Sequence, residues 1–218
     1  AAEIDRFLKN REESVLSKLI AIGGAAEEES FEVQAKVRVE DLEPVLAALQ
    51  APEIQIVRTR NYHEFDTYFN FSDREQGRLR YREDEFIGKN GEITSVRSRL
   101  TLIGEPESAH LEESEKIMLS RSRYLAPAVH SLRFYNEYFK PVELVEIEKN
   151  RLRYLVKFRD TEFFINLDKV TKPKLGKFVE IKSRTWSRQD AQNKTVLMRE
   201  LLATLGLSSL PLVTKDYI

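Results

Sequence analysis

Apolar and polar residues alternate with a period of two along several stretches of this chain, a pattern typical of β-strands. From Phe31 to Val39 the apolar residues take every odd position and the polar residues take every even one. Successive side chains of a strand point to opposite faces, so each stretch places its polar residues on one side of a sheet. The pattern predicts about eight antiparallel strands. The other stretches lie at 54–71, 78–86, 92–103, 142–158, 161–170 and 178–184.

Helical periodicity appears at both ends of the chain and in its middle. Apolar residues over 4–20 recur at spacings of three and four, which predicts a helix with one apolar face. Ser187, with Asp190 three positions later, predicts the start of a closing helix. Further helical segments are predicted at 41–50 and at 120–139, with a break at Pro127.

The sequence therefore predicts an α+β fold in which one sheet domain carries helical additions. We place the N-terminal helix in residues 1–26 and the sheet with its C-terminal helix in residues 27–218. A chain of 218 residues is long enough to bury a sizeable core.

Composition excludes several kinds of chemistry. The chain has no cysteine, which excludes disulfides, thiol nucleophiles and thiolate-bound metals, and its three histidines are too few and too scattered for a multi-histidine metal site. No apolar run approaches the roughly 18 residues of a membrane span, and the first residues lack the layout of a signal peptide. We therefore expect a cytoplasmic protein without a membrane partner.

Charge is sorted along the predicted strands. The net charge is only -1, so a cationic surface must arise from placing bases on particular strand faces. An ordinary solvated outer face is the more common outcome for any single strand, but such faces usually mix charge signs, because like charges opposite each other are destabilising. Several nearly pure faces predict instead a site for a compact polyanion. The bases are Lys36 and Arg38; Arg78, Arg80 and Arg82; Arg97 and Arg99; Lys149, Arg151 and Arg153; and Lys182 and Arg184.

Carboxylates occupy equivalent positions on or beside these stretches. If the sheet closes on itself, bases inside it would bind phosphate and acids would bind a divalent metal. The candidate carboxylates are Glu32, Glu113, Glu115, Asp168 and Glu180.

The order of these motifs resembles the CYTH superfamily, also called triphosphate tunnel metalloenzymes. The resemblance extends over residues 31–184, about 70% of the chain. It implies an eight-stranded antiparallel β-barrel, or tunnel, with flanking N-terminal, central and C-terminal helices. Such a tunnel binds a triphosphate through Lys and Arg, and glutamates hold Mg²⁺ or Mn²⁺. The matching motifs are Glu32-x-Gln34-x-Lys36, Asp66-Thr67-Tyr68-Phe69, Arg78-Leu79-Arg80-Tyr81-Arg82, Lys149-x-Arg151, and Asp168 followed twelve residues later by Glu180.

The resemblance also implies roles for individual residues. The implied phosphate contacts are Lys36, Arg80, Arg82, Lys149 and Arg151, and Arg78, Arg97, Arg99, Arg153 and Lys182 are added because they share strand faces with them. The implied metal set is Glu32, Gln34, Glu113, Glu115, Asp168 and Glu180. The implied catalytic set is Glu32, Lys36, Arg80 and Lys149.

The chain departs from the family pattern at four points. Gln34 replaces a glutamate, Lys182 replaces the second glutamate of a Glu-x-Glu motif, Ile103 replaces the lysine of a Thr-x-Lys-Gly turn, and Leu111 replaces an arginine. Lys182 matters most for the metal site. An ammonium about 4 Å from a divalent ion repels it by roughly 8 kcal/mol at an effective dielectric constant of about 20.

Three function hypotheses follow. The first is metal-assisted hydrolysis of tripolyphosphate or of a nucleoside triphosphate. The second is a metal-poor, catalytically impaired module that binds phosphate or a nucleotide and regulates a partner. The third is a class IV type adenylate cyclase, for which the sequence offers no purine-binding motif.

All three hypotheses give the protein a small partner that contains a triphosphate. A homodimer and a fused kinase-like domain are both compatible with the sequence. A pI of about 6.4 argues against nucleic acid as the partner.

Overall fold

A computed structural model describes residues 14–28, 31–104, 118–120 and 123–213. These residues form one antiparallel sheet with four α-helices, which confirms the predicted α+β class. None of the helices in these ranges is long and apolar enough to cross a membrane.

The strands are distributed along the described chain, and the helices cover the outside of the sheet. The strands are β1 (Ala25–Ala26), β2 (Phe31–Val39), β3 (Ile54–Asn70), β4 (Arg78–Ile87), β5 (Ile93–Ile103), β6 (Met118–Ser120), β7 (Arg123–Pro127), β8 (Glu143–Phe158), β9 (Thr161–Lys172) and β10 (Gly176–Thr185). The helices are α1 (Val15–Ala21), α2 (Glu43–Ala48), α3 (Leu132–Phe139) and α4 (Arg188–Thr204).

The sheet orders its strands as β1-β7-β5-β4-β3-β8-β9-β10-β2-β6, so that β1 and β6 lie at opposite edges. Over the described ranges no backbone ladder joins these edges, and the sheet has ten strands instead of the predicted eight. Side chains bridge the gap between the edge regions. Arg123 of β7 donates to Glu32 of β2 at 2.8 Å, and Arg184 of β10 donates to Glu27, next to β1, at 3.0 Å. We call these contacts the seam.

Helices cover the outer, apolar face of the sheet in two places. At one, Val33 and Ile165 pack against Met198 and Leu201 of α4. At the other, α1 and α3 pack against β4 and β5, where Leu79 lies in the same buried cluster as the α3 aromatics. The apolar residues of these strands pack against the helices on the outer face. Because successive side chains of a strand alternate between its two faces, the polar residues between them face inward.

The predicted helical segment over 120–139 is wrong for its first part. Residues Arg123–Pro127 form β7, because β5 and β1 both offer backbone partners there. Proline is tolerated at the end of the strand, where a ladder hydrogen bond is not required. The helical part begins at Leu132, and the Ser131 hydroxyl accepts a hydrogen bond from the Phe134 N–H at its start.

The two terminal helices agree with the sequence prediction within the described residues. Ser187 caps α4 by accepting a hydrogen bond from the backbone N–H of Asp190. Of the N-terminal helix predicted over 4–20, the described part is helical as α1, and residues 1–13 lie outside the described ranges. The division at residues 26 and 27 stays a prediction.

Candidate functional site

Inward-facing side chains from distant strands enclose a cavity of about 390 Å³, which we call the central cavity. Lys36, Arg82, Lys149 and Arg151 are buried there, with exposed fractions of 1% to 5%. Cations from the sheet therefore meet in one enclosed space, as the alternation indicated. The basic residues that line the cavity are Lys36, Arg80, Arg82, Arg99, Arg123, Lys149, Arg151, Arg153, Lys182, Arg184 and Lys194.

Most residues singled out from the sequence lie around this cavity. Glu32, Lys36, Arg80 and Lys149, the predicted catalytic set, all line it. The other members of the predicted sets that line it are Gln34, Arg82, Arg99, Arg151, Arg153, Glu180 and Lys182.

Three predicted site residues are placed elsewhere, and two more are not described. Arg78 and Arg97 lie on the expected strands but do not line the central cavity. Asp168 is fully buried behind the cavity wall. Glu113 and Glu115 lie outside the described residues. The binding roles of all five stay predictions.

Bidentate ion pairs fix two arginines in the cavity wall. Arg82 donates from Nε and Nη2 to the two carboxylate oxygens of Asp66 at 2.6 and 2.7 Å. Arg151 donates in the same way to Asp168, at 2.6 Å for both bonds. Lys149 Nζ lies 2.9 Å from Asp66 Oδ2. Paired, hydrogen-bonded charges of this kind tolerate burial, and they hold the guanidinium planes in fixed orientations.

Glu64 and Asp66 on β3 balance this buried charge, and the sequence reasoning gave them no role. Burial alone would raise the pKa of Glu64, but Arg151, Arg82 and Lys149 outweigh burial and hold that pKa below its ordinary value. The pKa of Asp66 is likewise lowered, by Arg82 and Lys149 against the opposing effect of burial. The sequence signal for this role was their spacing of two residues on a predicted strand, which places both carboxylates on one face.

Arg80 and Arg99 carry buried donors that lack an acceptor. Within the described part of the chain, the Nε atoms of both arginines and Oγ1 of Thr101 are buried without a hydrogen-bond partner. Arg80 Nε lies 3.7 Å from an oxygen of Asp66, beyond hydrogen-bond reach. Burial, together with the nearby charge of Arg82, lowers the pKa of Arg99 to about 10. A bound anion would supply the missing acceptors and relieve the crowding of like charges.

The predicted metal ligands Glu32 and Asp168 are already engaged by arginines. Arg123 and Arg184 donate to the same Glu32 oxygen at 2.8 and 3.0 Å. Asp168 uses both oxygens on Arg151. In this structure arginine donors therefore occupy the carboxylate oxygens that would have to turn to a divalent ion.

Glu180, the third predicted ligand, is surrounded by donors. Gln34 donates its amide to one Glu180 oxygen at 3.0 Å, and Asn166 donates to the other at 2.8 Å. Lys182 Nζ lies 3.2 Å from Glu180. Burial would raise the pKa of Glu180, but Lys182 and Arg151 hold it well below its ordinary value. Burial lowers the pKa of Lys182, and Glu180 opposes that shift.

The residues present therefore do not fit a divalent metal at this corner. Gln34 presents its N–H₂ group instead of a ligating oxygen, and the Lys182 ammonium stands beside the carboxylate that would hold the ion. Over the described ranges, no group of three or more His, Asp or Glu side chains is arranged to hold a metal.

Several solved structures have a fold similar to that of this chain. The chain resembles the PH1819 protein from Pyrococcus horikoshii OT3, with 20% identity, a TM-score of 0.61, and coverage of 85% of this chain and 95% of that chain. It also resembles a candidate adenylate cyclase from Vibrio parahaemolyticus, with 17% identity, a TM-score of 0.57, and coverage of 87% and 96%. A chain of the Schizosaccharomyces pombe Mediator head module matches with 14% identity, a TM-score of 0.54, and coverage of 84% and 97%.

These likenesses show a shared fold, the triphosphate tunnel metalloenzyme fold that the resemblance implied. No protein-family model and no curated protein sequence matches the chain. Identities of 20% or less establish a shared fold and leave the bound molecule to be argued from the site itself.

Proposed function

We propose that the protein binds the triphosphate group of a small molecule in the central cavity, and that its own cations do so without a divalent metal ion. The observation that carries this proposal is the pair of buried guanidinium donors, Arg80 Nε and Arg99 Nε, that lack an acceptor in the described part of the chain. Phosphate oxygens are strong acceptors for such donors. In this proposal the inward strand faces act as a tunnel held together at the seam.

The charge of the cavity supports an anion as the occupant. Among the residues that the structure describes, eleven basic residues line it against three acidic ones, Glu32, Glu162 and Glu180. The four buried carboxylates behind them offset only part of this excess. The arginines in ion pairs keep their orientation without a ligand, so binding needs little reorganisation of the wall. The carboxylates behind the wall are Glu64, Asp66, Asp84 and Asp168.

Lys182 determines how the ligand charge is balanced. Its ammonium pairs with Glu180 and adds a positive charge at the corner where the family resemblance places a metal. A fixed ammonium can bind phosphate directly as a point charge. We therefore expect the chain to need no added cation at this corner.

Calorimetric titration with tripolyphosphate tests the proposal. We expect binding in buffer with EDTA, and we expect that Mg²⁺ or Mn²⁺ does not strengthen it. The Lys182→Glu variant should reverse this behaviour, because two adjacent carboxylates repel phosphate and attract a divalent ion. That variant should bind weakly in EDTA and more tightly with Mg²⁺.

Lys157→Glu is the matched control for Lys182→Glu, because Lys157 is exposed on β8 and its replacement changes the net charge by the same amount. The control should bind as the parent does. A parent protein that binds tripolyphosphate only with Mg²⁺ or Mn²⁺ contradicts the proposal, and so does a Lys182→Glu variant that behaves like the Lys157→Glu control.

The same sample decides between binding and turnover. We propose binding without hydrolysis, because the donors around Glu180 leave no place for the metal that the hydrolase hypothesis requires. Phosphate release from tripolyphosphate or ATP with Mg²⁺ or Mn²⁺ would restore that hypothesis, and formation of cyclic AMP would favour the cyclase. A homodimer and a fused kinase-like domain that responds to the bound triphosphate stay predictions.

A further inference from the structure

A second, smaller cavity opens beside the central cavity, and arginines make up five of its eight lining residues in the described part of the chain. Its volume is about 160 Å³. No acidic residue of the described ranges is among those that line it. We call it the arginine mouth, and its lining residues are Arg58, Arg60, Tyr62, Arg97, Arg99, Arg153, Leu155 and Phe164.

The arginine mouth and the central cavity adjoin each other. Arg99, Arg153 and Phe164 line both. An extended molecule in the central cavity therefore has only these shared side chains to pass before it reaches the mouth.

A β-bulge aims two of the arginines into the mouth. The pairing of β3 with β8 shifts register between Ile56 and Arg58. Before the bulge, Ile54 packs in the outer apolar core; after it, Arg58 and Arg60 line the mouth. With uninterrupted alternation Arg58 and Arg60 would share the outer face of Ile54, so the bulge places them inward.

Like charges crowd the mouth, and aromatic rings hold them there. Arg60 lies directly opposite Arg153 on the neighbouring strand, an arrangement that is destabilising unless an anion lies between the charges. Arg60 lies over the Phe86 ring at 5.8 Å. Arg153 lies over Tyr62 at 5.4 Å and over Phe164 at 5.5 Å. Cation–π contacts of this kind fix the guanidinium groups before a ligand arrives.

Arg58 and Arg60 have spare binding capacity. Within the described part of the chain, neither guanidinium has a carboxylate within ion-pairing distance, whereas Arg97 in the same mouth lies 2.7 Å from Asp84. The five guanidinium groups of the mouth offer only donors. A nucleobase presents both donors and acceptors, so this lining suits phosphate oxygens better than a base.

We infer that the ligand is a linear phosphate chain longer than three units, whose additional phosphoryl groups bind the arginine mouth. This inference rests on the proposed function, because the first three phosphoryl groups occupy the central cavity. The bulge, the lack of acidic residues among the described lining and the adjacency of the two cavities each support it independently.

Titration with a chain-length series tests the inference. The probes are tripolyphosphate and a linear polyphosphate of about ten units, both in EDTA. We expect the parent to bind the longer chain more tightly, and we expect the Arg58→Gln/Arg60→Gln double variant to lose about tenfold of that preference while its affinity for tripolyphosphate stays the same. A longer phosphate chain can also occupy the site in more positions, which raises its apparent affinity. This gain is the same for the parent and the variant, so it cancels when their preferences are compared.

Lys157→Gln/Arg188→Gln is the control, because both residues are exposed and the change in net charge is the same. It should keep the parental preference. An unchanged preference in Arg58→Gln/Arg60→Gln overturns the inference and leaves the proposed function intact. ATP that binds more tightly than tripolyphosphate, and loses this advantage in the double variant, would assign the mouth to a nucleoside and also overturn it. If the parent binds neither phosphate chain, the proposed function itself fails.

Discussion

Replacing Arg80 by glutamine is expected to weaken the binding of tripolyphosphate about 10- to 100-fold. The Arg80 Nε donor is buried without a hydrogen-bond acceptor in the described part of the chain, because the Asp66 oxygen at 3.7 Å is beyond hydrogen-bond reach. It therefore has more to gain from a phosphate oxygen than Arg82 Nε, which already donates to Asp66 at 2.6 Å. A hydrogen bond that involves a charged group contributes about 1.5–3 kcal/mol, and 1.4 kcal/mol corresponds to a factor of ten. Calorimetric titration in EDTA measures the loss.

The fold should survive this change, because Asp66 keeps its bonds to Arg82 and Lys149. Arg188→Gln, an exposed position at the start of α4, is the control and should bind as the parent does. An affinity of the Arg80→Gln variant within twofold of the control would remove Arg80 from the binding site.

Replacing Asp66 by asparagine is expected to lower the free energy of unfolding by about 3–5 kcal/mol. The change keeps the shape of the side chain but removes the charge that pairs with Arg82 at 2.6 Å and Lys149 at 2.9 Å. Both cations then stay buried among other bases with too little compensation. Urea denaturation measures the difference. The matched control is Asp41→Asn, which breaks an exposed ion pair with Lys177 and should cost less than about 1 kcal/mol.

The effect of Asp66→Asn should also depend on pH. The pKa of Asp66 is lowered in the folded protein, so its contribution is present above the pKa of an unfolded aspartate, about 3.9, and is lost as the pH falls below that value. The parent and the variant should therefore converge in stability at acidic pH. Equal losses for Asp66→Asn and Asp41→Asn at neutral pH would show that Asp66 does not anchor the buried network.

Period-two alternation predicted several of the cations that line the central cavity. Lys36 and Lys149 are far apart in the chain, and the same rule placed both inside one enclosure, because the apolar partners of both strands are needed by the helices outside. The same rule would also place Glu64 and Asp66 on the inward face, but the sequence reasoning considered carboxylates only as metal ligands. Their structural role as counter-charges follows from the cost of burying unpaired bases.

Other features depend on tertiary pairing that local sequence does not reveal. The bulge before Arg58 reverses the phase of β3, so simple alternation carried from Ile54 would assign Arg58 and Arg60 to the outside. Arg123 belongs to a strand only because β5 and β1 lie beside it. Gln34 and Lys182 were recognised from the sequence as departures from the metal pattern, but only the structure shows that they both contact Glu180.

A crystal structure of the protein with tripolyphosphate, grown in the presence of Mg²⁺, tests most directly whether the enclosed cations bind a triphosphate without a metal. We predict phosphate oxygens on Arg80 Nε and Arg99 Nε, with the Lys182 ammonium still paired with Glu180. A metal ion coordinated by Glu180 with Lys182 displaced, or tripolyphosphate bound outside the central cavity, would contradict the account.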